Sequence, residues 1–236
     1  MKGLLYLIPN RLASENADRF IPFHNKEIIR SLKHFIVENL KPARAFLKLA
    51  GVKTPFDDIT FYELNKHSRD QEISDMISVL LAGNSVGLIS DAGYPSIADP
   101  GEQIIFKAHQ NGIQVIPLTG PSSILFAIAS SGLNAEQFTF HAYLPVNENE
   151  LKRSLKKLEK EIVHSGYTQV FIETPYRAQK IFDVILKQID ASLYLSICAD
   201  LHSKNEFIST KSISEWRKEK AVLKNKLVVI SIGVAG

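Results

Sequence analysis

The chain has 236 residues, 45% hydrophobic and 22% charged, an ordinary balance for a globular protein with room for one large domain or two of roughly 100 to 150 residues. A formal charge of +3 permits a polyanionic partner without requiring one. Cys198 is the only cysteine, so no internal disulfide forms; with no Cys/His cluster, no H-E-x-x-H and no N-x-S/T sequon, the structural-zinc, metalloprotease and secreted-glycoprotein classes fall away and no metal is expected.

The opening MKGLLYLIPN carries an apolar run of about six residues before Pro9, too short for a signal peptide or a membrane span, and no later segment approaches ~18 uninterrupted apolar residues. A cytoplasmic chain with no membrane partner is expected. LLYLI (4–8) then starts an alternation of short apolar runs and helical patterns: KEIIRSLKHF follows it, FIVE (35–38) precedes PARAFLKLAG, and ITFYEL (59–64) precedes DQEISDMISVLLAG. VGLIS (86–90) and VIPL (115–118) are followed in the same way by EQIIFKAHQNG and SSILFAIASSG. Such β-then-α repetition predicts a mostly parallel sheet with helices on both faces, and Gly51, Gly83 and Gly112 sit where helices would end.

From FTFHAYLP (138–145) the rhythm changes. A charged helix, ENELKRSLKKLEKEIVH (148–164), places Leu151, Leu155, Leu158 and Ile162 on one face; its other face reads as solvated, with an RNA-facing patch as the alternative. TQVFIE (168–173), a helix over 177–189, LYLSICAD (193–200), EFIST (206–210), a short helix around SEWRKE and KLVVISIG (226–233) follow, predicting a mixed sheet with antiparallel pairs. Cys198 reads as a buried, inert thiol. The polar segment 131–137 suggests domains 1–134 and 135–236, both α/β.

Ligands of open parallel sheets bind outside the strands' carboxyl ends, where SDAGYPSIADPG (90–101) leaves the fourth strand. Gly93 can take φ > 0 and admit a ligand to the backbone, and Pro95 and Pro100 restrict the loop. Asp91 and Gly93 read as ligand contacts. Asp99-Pro100-Gly101 reads as a turn with Asp99 the N-cap and Pro100 the first helical residue. PLTGPSS (117–123) leaves the next strand, and its Ser122 and Ser123 could cap a helix or bind a polar ligand. G-x-G-x-x-G and G-x-x-x-x-G-K-S/T are both absent, which argues against a Rossmann dehydrogenase or P-loop NTPase.

VGLISDAGYPSIADPG, PLTGPSS, FTFHAYLP and FIETPYR, in this order, resemble the tetrapyrrole methylase superfamily of S-adenosylmethionine-dependent methyltransferases. They are most similar to its ribosomal RNA small subunit methyltransferase I branch, which methylates a ribose 2′-hydroxyl of 16S rRNA. The resemblance implies two α/β domains with S-adenosylmethionine in the cleft between them, a homodimer, and rRNA or the small ribosomal subunit as partner. It implies cofactor contacts at Asp91, Gly93, Tyr94, Pro95, Thr119, Ser122 and Ser123, and more loosely at Pro9 and Glu173. Glu173 to Arg177 also reads as a strand-to-helix turn with Arg177 pairing a surface acid.

The chain departs from the branch where T-P-I-G-N becomes IPNRLASEN, E-D-T-R becomes VENLKPARAF, A-R-E-L-T-K becomes ADLHSKNE and K-G-E becomes KNK. Glu38, Asn39 and Arg44 are candidates to replace the missing acid and arginine, with a capped helix start as the alternative. A ribose hydroxyl needs a base or a polarising contact. Glu38 and Glu173 are candidates for it, and Arg44 or Arg177 for holding a phosphate; no single catalytic residue is assigned. Competing readings are a small-molecule, tetrapyrrole-type methyltransferase of the same fold and a non-catalytic cofactor-binding protein.

Overall fold

A computed structural model describes residues 1–13, 16–65 and 68–235, which divide into two compact units, Met1–Ser122 and Ser123–Gly236. In the first, strands β1 (Leu5–Ile8), β2 (His34–Val37), β3 (Thr60–Glu63), β4 (Val86–Ile89) and β5 (Val115–Pro117) form a sheet in the order β3-β2-β4-β1-β5. Every pairing is parallel, as the β-then-α repetition requires. Helices α1 (Phe23–Ser31) and α2 (Leu40–Leu49) bury Ile29, Phe46 and Leu47 against Ile8, Phe35 and Val37. On the opposite face α3 (Asp70–Leu81) and α4 (Glu102–Gln110) bury Met76, Leu80 and Ile104 against Leu5, Leu7 and Leu88. The period-2 alternation along β1 thus feeds two cores at once, as a sheet covered on both faces demands.

Helix α3 ends at Gly83, whose φ of +96° lets its N–H reach the Leu80 carbonyl while Asn84 N–H reaches that of Val79. Helices α2 and α4 stop in the same way at Gly51 and Gly112. The start of α4 differs from the sequence reading: its N-cap is Gly101 (φ 149°, ψ −24°), with no side-chain cap, so Asp99 and Pro100 are neither N-cap and first helical residue nor part of the helix. Residues 93–101 spend their length turning, with positive φ at Gly93, Ser96, Ala98 and Gly101.

The second unit is a mixed sheet of β6 (Phe138–Tyr143), β7 (Thr168–Glu173), β8 (Tyr194–Ala199), β9 (Phe207–Ser212) and β10 (Val228–Gly233), in the order β6-β7-β10-β8-β9. β6 pairs parallel with β7, and the remaining pairs are antiparallel, including β8 and β9, which flank the polar LHSKN connection. Helices α6 (Glu148–Ser165), α7 (Ala178–Gln188) and α8 (Ile213–Lys218) share one core with Phe171, Ile197 and Ile230. Helix α5 (Ser123–Ser131) packs on this sheet, so the units divide at Ser122/Ser123 and the polar 131–137 segment lies inside the second. Cys198 is buried with its Sγ 3.6 Å from Ser130 Oγ. Burial pushes its thiol above the ordinary value, which keeps it protonated and inert. Among the described residues no helix is long and apolar enough to cross a membrane.

Candidate functional site

Because the first sheet is parallel throughout, the loops after β1, β2, β4 and β5 leave one edge. β1 leads to β2 on one side of it while β4 leads to β5 on the other, a strand-order reversal of the kind that opens a ligand crevice. Asn10, two residues past β1 and only 1% exposed, holds this edge together. Its Nδ2 donates to the carbonyls of Ser90 (2.8 Å) and Asp91 (3.0 Å), its Oδ1 accepts from Arg11 N–H (2.7 Å), and its own N–H donates to the Gly93 carbonyl (2.8 Å). One side chain therefore fixes the backbone of the β4 loop from the β1 loop.

Three further ties converge on the same loops. Asn39, at the start of α2, makes no side-chain cap; its Nδ2 donates instead to Asp91 Oδ2 at 2.6 Å. Tyr94 donates its hydroxyl to the Leu118 carbonyl at 3.2 Å, and burial pushes its phenol above the ordinary value, so the donor proton stays in place. Asn25, buried on α1, donates Nδ2 to the Thr119 carbonyl at 2.6 Å. Pro9 lies against Gly120 so closely that a Cβ on that glycine would sit 2.4 Å from Pro9 Cβ.

Inside the β4 loop, Ile97 N–H reaches the Tyr94 carbonyl (3.4 Å), with Pro95 and Ser96 as the central residues. Pro95 suits the first central position of such a turn; Ser96, at φ 69°, occupies a position that favours glycine. Gly93, at φ +70°, leaves only Leu12 near its missing Cβ, at 3.4 Å. A loop held in uncommon backbone conformations by three side-chain ties, from Asn10, Asn39 and Tyr94, is rigid before a ligand arrives, which lowers the entropy lost on binding.

The structure thus gathers Pro9, Asp91, Gly93, Tyr94, Pro95 and Thr119 in one set of tied loops. Ser122, 5% exposed, ends the first unit, and Ser123 begins the second as the first residue of α5. Asn10 and Asn25 were missed: a lone asparagine after a proline reads as turn, and one in a helix reads as surface. Ser14 and Glu15 of the divergent IPNRLASEN stretch lie outside the described residues.

Glu173 belongs to the second unit. Its buried Oε1 accepts from Thr174 N–H (2.7 Å) and Thr174 Oγ1 (3.2 Å), and its Oε2 faces Arg177 Nη2 at 3.1 Å, an ion pair too poorly aligned to count as a hydrogen bond. Arg177 Nη2 also donates to the Leu144 and Pro145 carbonyls (3.2 and 3.0 Å), joining FTFHAYLP to FIETPYR. Arg177 therefore pairs a buried acid, not a surface one, and its guanidinium is engaged in structure. Arg44 lies over the rings of Phe56 and Phe61, 5.6 and 5.4 Å from their centroids. Of the two candidate bases, Glu38 is the one that leaves the edge of the first sheet, directly after β2.

A model of the tetrapyrrole (corrin/porphyrin) methylases matches residues 21–216. The chain is 29% identical over 98% of its length to a ribosomal RNA small subunit methyltransferase I of Buchnera aphidicola subsp. Schizaphis graminum (strain Sg), covering 79% of that protein. It is 27% identical over 93% of its length to the protein of the same name from Bacillus subtilis (strain 168), covering 72% of it. The solved structure of the methyltransferase CobJ shares the fold, with a TM-score of 0.64 over 99% of this chain and 95% of that one at 13% identity.

Proposed function

As a chain that belongs to the tetrapyrrole (corrin/porphyrin) methylase family, this protein is a methyltransferase, and we propose that it moves the methyl group of S-adenosylmethionine to a ribose 2′-hydroxyl of small-subunit ribosomal RNA. The observation that carries this reading is the near-full-length similarity to proteins named for that RNA. The tied loops supply the physical support for cofactor binding.

The residues present fit the cofactor. Where a side chain would stand on Gly93 the nearest atom is Leu12 at 3.4 Å, which leaves room beside the β4 loop, and hydroxyls at Thr119, Ser122 and Ser123 suit the ribose and amino acid ends of the cofactor. The Asp91 carboxylate, oriented by Asn39, favours a cationic ligand. When bound, S-adenosylmethionine supplies a methyl group already activated on a sulfonium. The work left to the chain is to align the acceptor and exclude water, a positioning effect worth several kcal/mol, of order 7 or more in well-oriented systems. Pro9, Asp91, Gly93, Tyr94, Pro95, Thr119, Ser122 and Ser123 are the proposed cofactor contacts. Glu173 is carried as a further contact position. We place the protein in the cytoplasm as a homodimer.

Methyl-labelled S-adenosylmethionine, incubated with the protein and unmethylated small ribosomal subunits, should leave label on the 16S rRNA, in nuclease-resistant 2′-O-methylated dinucleotides. Label in a small-molecule extract and none in rRNA would replace the substrate reading. Calorimetric titration without any cofactor binding would remove the enzyme's donor altogether.

A further inference from the structure

The 18-residue helix α6 alternates acids and bases in sequence but separates them in space. At 100° per residue, Leu151, Leu155, Leu158 and Ile162 face the core, and Arg153, Lys156, Lys157, Lys160 and His164 form one stripe on the far side. All five are exposed. The acids fall on the flanks: Glu148 pairs with Lys152 (2.8 Å), and Glu159 pairs with Lys156 (2.8 Å) while accepting from Asp190 N–H. Lys152–Lys156, Lys156–Lys160 and Arg153–Lys157 are like charges at i,i+4, a spacing that destabilises a helix. Opposite charges at those positions would have served folding better.

Two grooves run along this stripe. One, of about 450 Å³, is lined by Lys152, Arg153, Lys156, Lys157, Lys160 and Gln188, with no carboxylate. The other, of about 870 Å³, shares Lys156, Lys160 and Gln188 and adds Lys187 at the end of α7. Its two acids are engaged: Glu159 as above, and Asp190 by Ser192 N–H and Oγ (2.8 and 2.6 Å). Among the described residues, Lys157, Lys160 and Lys187 have no carboxylate partner. Arg153 donates only to a backbone carbonyl. At about 1.5 Å per residue, Arg153 to Lys160 spans ~10 Å along the helix, the reach of a few successive phosphates.

We infer that the α6 stripe, with Lys187, is a docking surface for the phosphodiester backbone of the ribosomal RNA substrate. The inference rests on the rRNA reading above. Charge complementarity selects the partner: the grooves present several cations without a carboxylate partner in a row and they are open, which suits a flexible polyanion. Contacts of this type position the substrate without reading its bases.

The test compares the full chain with the triple variant Arg153→Gln, Lys157→Gln, Lys160→Gln and with a control of equal charge change, Lys204→Gln, Lys218→Gln, Lys224→Gln, whose lysines are also exposed. Binding to deproteinised 16S rRNA is titrated across salt concentrations, with cofactor affinity and far-UV circular dichroism measured on the same samples. Each lost phosphate contact flattens the salt slope by about 0.7, so three should flatten it by about 2 and weaken binding roughly 10- to 100-fold at 0.1 M salt. KM for the RNA should rise, with cofactor affinity and helix content unchanged. Equal losses in stripe and control variants, or an unchanged slope in the stripe variant, would overturn the inference and leave rRNA methylation standing. Loss of binding to intact subunits but not to naked rRNA would assign the stripe to a protein partner, and loss of binding to phosphatidylglycerol vesicles alone would assign it to a membrane. A wild-type chain that neither binds nor methylates rRNA would remove both readings.

Discussion

Replacing Asn10 by alanine is the sharpest probe of the cofactor edge. The side chain is 1% exposed and donates to two carbonyls in the β4 loop, at 2.8 and 3.0 Å. Each such hydrogen bond contributes ~1 kcal/mol net, and an acceptor left buried without its donor costs ~1–3 kcal/mol. Asn10→Ala should therefore lower the unfolding free energy of the first unit by about 2–4 kcal/mol, read from urea titration by far-UV circular dichroism. Asn10→Asp is the discriminating partner variant. It keeps the shape but turns an acceptor toward two acceptors, so it should be at least as unstable as alanine at neutral pH. Cofactor affinity should fall ~10-fold or more in both, because the loop then spends less time in its competent conformation. A loss below ~1 kcal/mol for alanine, or wild-type stability for Asn10→Asp, would refute the view that donation from this side chain holds the loop.

Gly120→Ala should cost about 1–3 kcal/mol through overpacking and weaken cofactor binding, since its Cβ would meet Pro9 Cβ at 2.4 Å; calorimetry with S-adenosylmethionine checks the second effect. Tyr94→Phe deletes only the 3.2 Å bond to the Leu118 carbonyl and should cost ~1 kcal/mol in urea unfolding. Glu173→Gln should destabilise the second unit by roughly 2–3 kcal/mol, because it leaves the half-buried Arg177 guanidinium without its carboxylate. The Cys198 thiol has its folded pKa raised by burial, so the folded state holds that proton longer than the unfolded one. Its contribution is complete below the unfolded thiol value of about 8.5 and declines as pH rises above it. Stability should fall as pH rises above about 8.5, and Cys198→Ala should remove that part of the slope.

What the sequence made legible follows from how local each signal is. Strand alternation and C′ glycines are properties of a few neighbouring residues, so the parallel sheet and the ends of α2, α3 and α4 could be read directly. The helix start after SDAGYPSIADPG could not. Asp-Pro-Gly is a good local cap, but Ser96 and Ala98 carry positive φ, and that turn delays the helix to Glu102. The same holds for Asn39, which sits at an N-cap position and whose side chain bonds a carboxylate 52 residues away. Asn10 reaches across 80 residues to Ser90, and no periodicity marks it. Asn25 reaches Thr119 across 94. The residues that could contact a ligand were visible because glycine, proline and hydroxyl side chains cluster in two loops. Asn10 and Asn25, which hold the loops, were invisible because each is a single polar side chain whose partner is a backbone carbonyl far away in sequence; Asn39 stood out, but its partner did not. A rigid ligand loop built in this way depends on polar residues that never need to touch the ligand. Substitutions at Asn10, Asn25 and Asn39 should therefore alter cofactor affinity as strongly as substitutions among the loop residues themselves.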